Sequence, residues 1–162
     1  MRRWHSILKT FLCTLLVIPL LVVSGCALDP SPTTLDGVRE ETLAEMGLIE
    51  EIIPADAILG QDSIEDKNPC VVGGTEIVIA HTFSVSPEFD RLAWLHQMET
   101  HFKELGWDVR VSTLTSSSHV QASLVSRKLL YYFVILTDGD ETSTPPAITI
   151  RSTSRCTTSD AN

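Results

Sequence analysis

Cations are scarce in this chain: 12 Lys and Arg stand against 21 Asp and Glu over 162 residues. Duplex binding needs clustered Lys and Arg to neutralise phosphates, so the balance argues against a nucleic-acid partner. Catalytic arrangements are scarce too. Beyond the first 25 residues there is no G-x-S-x-G elbow, no S-x-x-K and no C-x-x-C, the patterns that set a nucleophile beside its base or a thiol beside its redox partner. Ser116 to Ser118 have only His119 beside them, and adjacent residues on an extended segment point apart. Gly73-Gly74 is too brief for a phosphate loop, and strand-like sequence follows it where a helix N-terminus would be needed.

Metal-ligand spacings are missing as well. Four histidines follow the first 25 residues: His81, His96, His101 and His119. Ligand pairs on a helix want a separation of three or four, and the five residues from His96 to His101 turn those rings roughly 140° apart. The acid cluster Glu40, Glu41, Glu45, Glu50 and Glu51 has no Asp/Gly loop in calcium-ligand spacing and reads as a solvated helix face. The sequence therefore predicts no catalytic residue, no metal ligand and no cofactor-binding residue. A site assembled only in three dimensions would draw on Glu76, His81, Asp138 and Asp140.

One long hydrophobic run is present, Phe11 to Val23, behind a basic start of Arg2, Arg3 and Lys9. It ends at Val23-Ser24-Gly25-Cys26. This is the order of a secretory signal closed by a lipoprotein box, in which small Gly25 fits the peptidase subsite and the Cys26 thiol is diacylated. No basic stop-transfer sequence follows, as a membrane-spanning anchor would require. The expectation is a signal peptide over 1–25, lipidation at Cys26, a Pro-containing tether over 26–35, one domain over 36–156 and a frayed tail over 157–162. Cleavage before Cys26 removes Arg2, Arg3 and Lys9 but no acid, and takes the formal net charge from −9 to −12. A domain so acidic is repelled by anionic lipid, so contact with the membrane falls to the acyl chains, at about 0.8 kcal/mol per buried methylene. The expected location is the extracytoplasmic face of a cell membrane.

In the mature chain, Val38, Ala44, Leu48, Ile49 and Ile52 predict a helix over Asp36 to Ile53, stopped by Pro54. Ala55 to Gly74 is rich in turn-formers and reads as a long connection. A first strand follows over Glu76 to Val85. Ser86-Pro87 reads as a helix start, with Trp94, Leu95, Met98, Phe102 and Leu105 on one face and Gly106 as the stop. Alternation then predicts strands from Trp107, from Val120, over Leu129 to Thr137, and over Ala147 to Thr153. The stretch LLYYFVILT is apolar on both faces, as a central strand would be. Buried positions should include Trp94, Phe102, Leu105, Trp107, Val109, Phe133 and Ile135.

With Cys13 discarded in the leader and Cys26 acylated, Cys70 and Cys156 remain. An exported protein keeps disulfides, so these two should be bonded. Their positions require the first and last predicted strands to lie close and antiparallel. The fold class that satisfies this is α+β: a five-stranded, mainly antiparallel sheet in the order 2-3-4-5-1, a β-α-β crossover helix on one face and an N-terminal helix.

Asn68-Pro69-Cys70, Leu105-Gly106-Trp107-Asp108-Val109 and the cysteine after a Thr/Ser-rich final strand resemble small secreted lipoproteins of actinobacteria, in which a P-C segment, a helix ending in G-W-x-V, three strands and a final cysteine recur. The likeness covers Asn68 to Cys156; here the end is Ser154-Arg155-Cys156, where the group has a small residue before the cysteine. The resemblance implies location and fold and supplies no catalytic residues. The functional expectation is a membrane-anchored, non-catalytic binding or accessory module that offers a sheet face or the Thr113 to His119 loop to an envelope protein, glycan or lipid. The alternatives are a structural envelope lipoprotein with a closed polar surface and, third, an envelope enzyme.

Overall fold

The computed structural model of the protein describes residues 31–71, 73–113, 120–139 and 144–158. Cys26 with the whole leader, His119 and Asp140 lie outside the described residues. Helix α1 spans Leu35–Glu50, one residue earlier than the apolar spacing suggests, because the Thr34 side chain accepts a hydrogen bond from the Gly37 amide and caps it. Its buried residues Leu35, Val38, Thr42, Met46 and Ile49 fall at three- and four-residue intervals and form one stripe. Strand β1 covers Ile58–Pro69, β2 Thr75–Val85, β3 Asp108–Thr113, β4 Val120–Val125, β5 Tyr131–Thr137 and β6 Ala147–Thr153, with helix α2, Arg91–Glu104, between β2 and β3.

The strands form a sheet in the order β1-β2-β6-β5-β4-β3, and every neighbouring pair is antiparallel. The general α+β class is as expected, but the five-stranded sheet is corrected to six. Segment 75–85, expected at an edge, is instead flanked by β1 on its outer side. The turn-formers of 55–74 hid this strand. Eleven of its twelve residues are exposed, so it needs no apolar alternation, and Asp62, Glu65, Asp66, Lys67 and the terminal Pro69 are what an edge strand carries to avoid pairing with other chains. Gly73-Gly74 is the β1–β2 hairpin turn, both residues at positive φ. At Gly74 a Cβ would stand 2.3 Å from the Thr157 carbonyl oxygen, so the close approach of the C-terminal segment also demands glycine there.

Both helices lie on one face. Alternation sends Ile77, Ile79, Phe83 and Val85 of β2, Ile148 and Ile150 of β6, and Tyr132, Val134 and Leu136 of β5 into a core shared with α1 and α2. Phe102 of α2 is fully buried; its ring centroid lies 4.6 Å from that of Trp107, which lies 5.7 Å from Tyr132. Helix α2 is joined to the turn after α1, where the Trp94 indole Nε1 donates to the Ile52 carbonyl at 3.0 Å. The Tyr132 hydroxyl donates to the Thr42 carbonyl of α1 at 3.3 Å.

Three sequence expectations are corrected. The cap of α2 is Asp90, whose carboxylate accepts from the Ala93 amide at 2.9 Å; Ser86-Pro87 instead forms a turn in which Ser86 bonds Glu88. Leu105 is 45% exposed, because α2 ends at Glu104 and Leu105 leaves the helical stripe. Phe133 is 38% exposed and Ile135 half-buried, because strand alternation gives the helix side to Tyr132, Val134 and Leu136 and turns the odd residues the other way.

Cys70, at the end of β1, and Cys156, just past β6, are at disulfide distance with Cα atoms 6.0 Å apart. Beside them Thr157 makes a β-bridge with Thr75 and is buried, so the segment expected to fray from 157 is held at its first residue.

Candidate functional site: the open sheet face

The face of the sheet opposite the helices is built by the even residues of β2 and by the odd residues of β4, β5 and β6. Register aligns them in rows across the strands. One row runs Asp66, Val78, Thr153, Tyr131, Val125, Asp108; the next runs Ile64, Ala80, Arg151, Phe133, Ser123, Arg110. Neighbours within a row are about 5 Å apart and rows about 7 Å apart. Tyr131 is 59% exposed, and with Phe133 it sets two aromatic side chains side by side on an internal strand. Asp108, Arg110, Ser123, Val125, Tyr131 and Phe133 border a shallow concavity of about 410 Å³. Arg110 is held by Asp108, Nη2 to Oδ2 at 3.0 Å, while the Thr82 and Thr149 hydroxyls bond each other at 3.0 Å. The open face therefore carries two exposed rings beside polar groups fixed by hydrogen bonds of their own.

Among the described residues, those singled out by sequence do not converge elsewhere. Among the described residues no three of His, Cys, Asp or Glu group closely enough to hold a metal ion. His81 is on the helix side of β2, where its Nδ1 meets Glu50 Oε1 at 2.6 Å and fastens the end of α1 to the sheet. Ser63 stands opposite His81 in the β1–β2 ladder, but no hydrogen bond joins them, so the acid–imidazole–hydroxyl series is incomplete. His96 is exposed and lies 3.5 Å from Glu99, which also holds Lys103 at 2.7 Å; the lysine bond lowers the Glu99 pKa. His101 packs edge-on against the Phe102 ring. Glu76 is on the open face and Asp138 pairs with Arg91 at 2.8 Å, so the two are not brought to His81.

Part of the acid cluster on α1 has a structural role. Glu41 meets Arg155 at 3.0 Å and Glu45 meets Lys128 at 3.3 Å, which ties the helix to the segments flanking β5 and β6. The sequence reading names a sheet face as a binding surface but places Phe133 and Ile135 in the core, whereas both lie on the open face.

Among the described residues no helix is long and apolar enough to cross a membrane. No family model matches the chain, and neither a curated protein nor a solved structure matches it.

Proposed function

We propose that the protein is a binding module, tethered to the outer side of a cell membrane by acyl chains on Cys26, and that it engages its partner through the open sheet face. The observation that carries this reading is the exposure of Tyr131 and Phe133 together on an internal strand. A closed polar surface would present polar side chains at that position, and removal of these rings from water on contact is worth about 25 cal/mol per Å² of apolar surface. The tether is supported by the lipoprotein box at Val23 to Cys26. The module is non-catalytic in this reading, which rests on the dispersed positions of His81, His96 and His101 and on the absence of a completed nucleophile–base pair among the described residues.

The test is a photo-crosslinking amino acid placed at Phe133 and, in a parallel strain, at Glu104, an exposed residue near the end of α2. A discrete adduct from position 133 and none from position 104 is the expected result. Equal labelling from both positions, or none from 133, contradicts the reading. Cys26→Ala should abolish acyl labelling and leave an unprocessed precursor; acyl label retained on that variant contradicts the anchor.

A further inference from the structure

Arg151 occupies the middle of the open face, on β6 between β2 and β5. Its ladder partners are Ala80 and Phe133, its neighbours along the strand Thr149 and Thr153, and its diagonal neighbours are supplied by β2 and β5. Those diagonals are Val78, Thr82, Tyr131 and Ile135, so none of its nearest positions on the face carries a carboxylate. Arg39, Arg91, Lys103, Arg110, Lys128 and Arg155 each hold a carboxylate. Among the described residues Lys67, Arg127 and exposed Arg151 hold none, but Lys67 shares its row with helix-side Ile77 and Arg127 lies in the β4–β5 turn, so of these three it is Arg151 that stands on the open face. The guanidinium is planar and presents parallel N–H donors that fit a carboxylate in a two-pronged bond. Phe133 is its ladder partner and Tyr131 a diagonal neighbour, and along its own strand stand Thr149, whose hydroxyl bonds that of Thr82, and Thr153.

Building on the reading of this face as the binding surface, we infer that its ligand is an acidic saccharide chain, with a ring carboxylate on Arg151 and sugar C–H faces on Phe133 and Tyr131. Each part of that chemistry has a counterpart on the sheet. The carboxylate has an uncompensated cation, the apolar ring faces have half-exposed aromatic side chains, and the sugar hydroxyls have Thr149, Thr153 and Ser123. The face is broad and its concavity shallow, which suits a linear chain laid across strands better than an acyl tail, whose burial needs a deep apolar cavity.

The experiment measures binding of the full-length chain to two fluorescent end-labelled tetrasaccharides, one a linear oligouronate and the other its carboxyl-reduced counterpart. The ionic strength is about 0.15 M, where the long-range repulsion of the acidic domain is screened beyond about 8 Å and the local contact decides. The unaltered protein should prefer the oligouronate by about tenfold or more, the size of one charge-assisted hydrogen-bonded pair. Arg151→Ala should erase that preference, Phe133→Ala should weaken both ligands, and Arg127→Ala, an exposed cation in the β4–β5 turn, should keep the preference. Equal affinity for the two sugars, or a preference that survives Arg151→Ala, overturns the inference. If equal affinities are both lost in Phe133→Ala, the acidic ligand is wrong and the open-face reading stands. If neither sugar binds, the inference falls, and the crosslink at Phe133 decides separately whether the face binds something else; a protein adduct there also overturns the saccharide.

Discussion

Removing the Cys70–Cys156 bridge by the double substitution Cys70→Ala, Cys156→Ala should lower stability with little change in the folded structure. The two cysteines are 86 positions apart in sequence. In the chain-entropy account a loop of that length removes about 15 cal/mol/K from the unfolded ensemble, or about 4 to 5 kcal/mol at 25 °C, an upper figure because residual structure in the unfolded chain lessens it. The native state has little to lose. β2 and β6 pair directly along Val78 to Ser84, and Thr75 bridges Thr157 beside the sulfurs, so the backbone geometry that brings the cysteines together is held by hydrogen bonds of its own. For a domain of this size, with ~2.1 cal/mol/K of unfolding entropy per residue, the full effect corresponds to a fall in Tm of about 15 °C. Thermal unfolding followed by far-ultraviolet circular dichroism, with the native spectrum compared before heating, measures both parts. A Tm within about 2 °C of the parent would refute the reasoning, as would a native spectrum that has lost its strand signal.

Other substitutions test the packing. Phe102→Ala should cost about 3 to 5 kcal/mol in denaturant unfolding, because its ring is fully buried between α2 and Trp107; an unchanged midpoint would mean that the helix presents a different face. Gly74→Ala should destabilise more than Gly73→Ala, since both have positive φ but only Gly74 meets the Thr157 carbonyl; equal midpoints for the two would contradict this. Burial, with the nearby Glu45 charge, raises the Tyr132 pKa well above its ordinary value near 10. The folded state therefore holds that proton more tightly than the unfolded chain. The associated stability is complete below about pH 10 and declines by up to ~1.4 kcal/mol per pH unit above it, until the folded group itself ionises. Tyr132→Phe should flatten this alkaline decline, and an unaltered slope in that variant would contradict the assignment.

How far the sequence disclosed the molecule depends on what each residue answers to. The stop of α2 at Gly106 and the change of period after Trp107 were legible because local backbone chemistry decides them. So was the closeness of Cys70 and Cys156, which follows from parity and compartment. β1 was not legible, because an edge strand exposed on both sides has no hydrophobic period to report. The start of α2 was misplaced because Ser86-Pro87 and Asp90 are both competent starts; it is the Asp90 carboxylate that accepts from the Ala93 amide, while Ser86 bonds Glu88 in the preceding turn. The outward residues Phe133 and Ile135 were misassigned to the core for a related reason: LLYYFVILT is apolar throughout, and hydrophobicity alone does not say how many layers of helix will cover a strand. Arg151 gave no sequence signal, since its isolation from carboxylates exists only through the registers of β2, β6 and β5.

The central claim is that the open face is occupied where the protein works, and the chain's two tyrosines make it directly measurable. Tyr131 is 59% exposed on that face while its neighbour Tyr132 is fully buried on the other, so tyrosine iodination followed by peptide mass spectrometry reports on the open face alone. Tyr131 should be modified readily in the purified protein and protected in native membranes, with protection lost when Phe133→Ala is introduced. Equal modification of Tyr131 in the two settings would contradict the account.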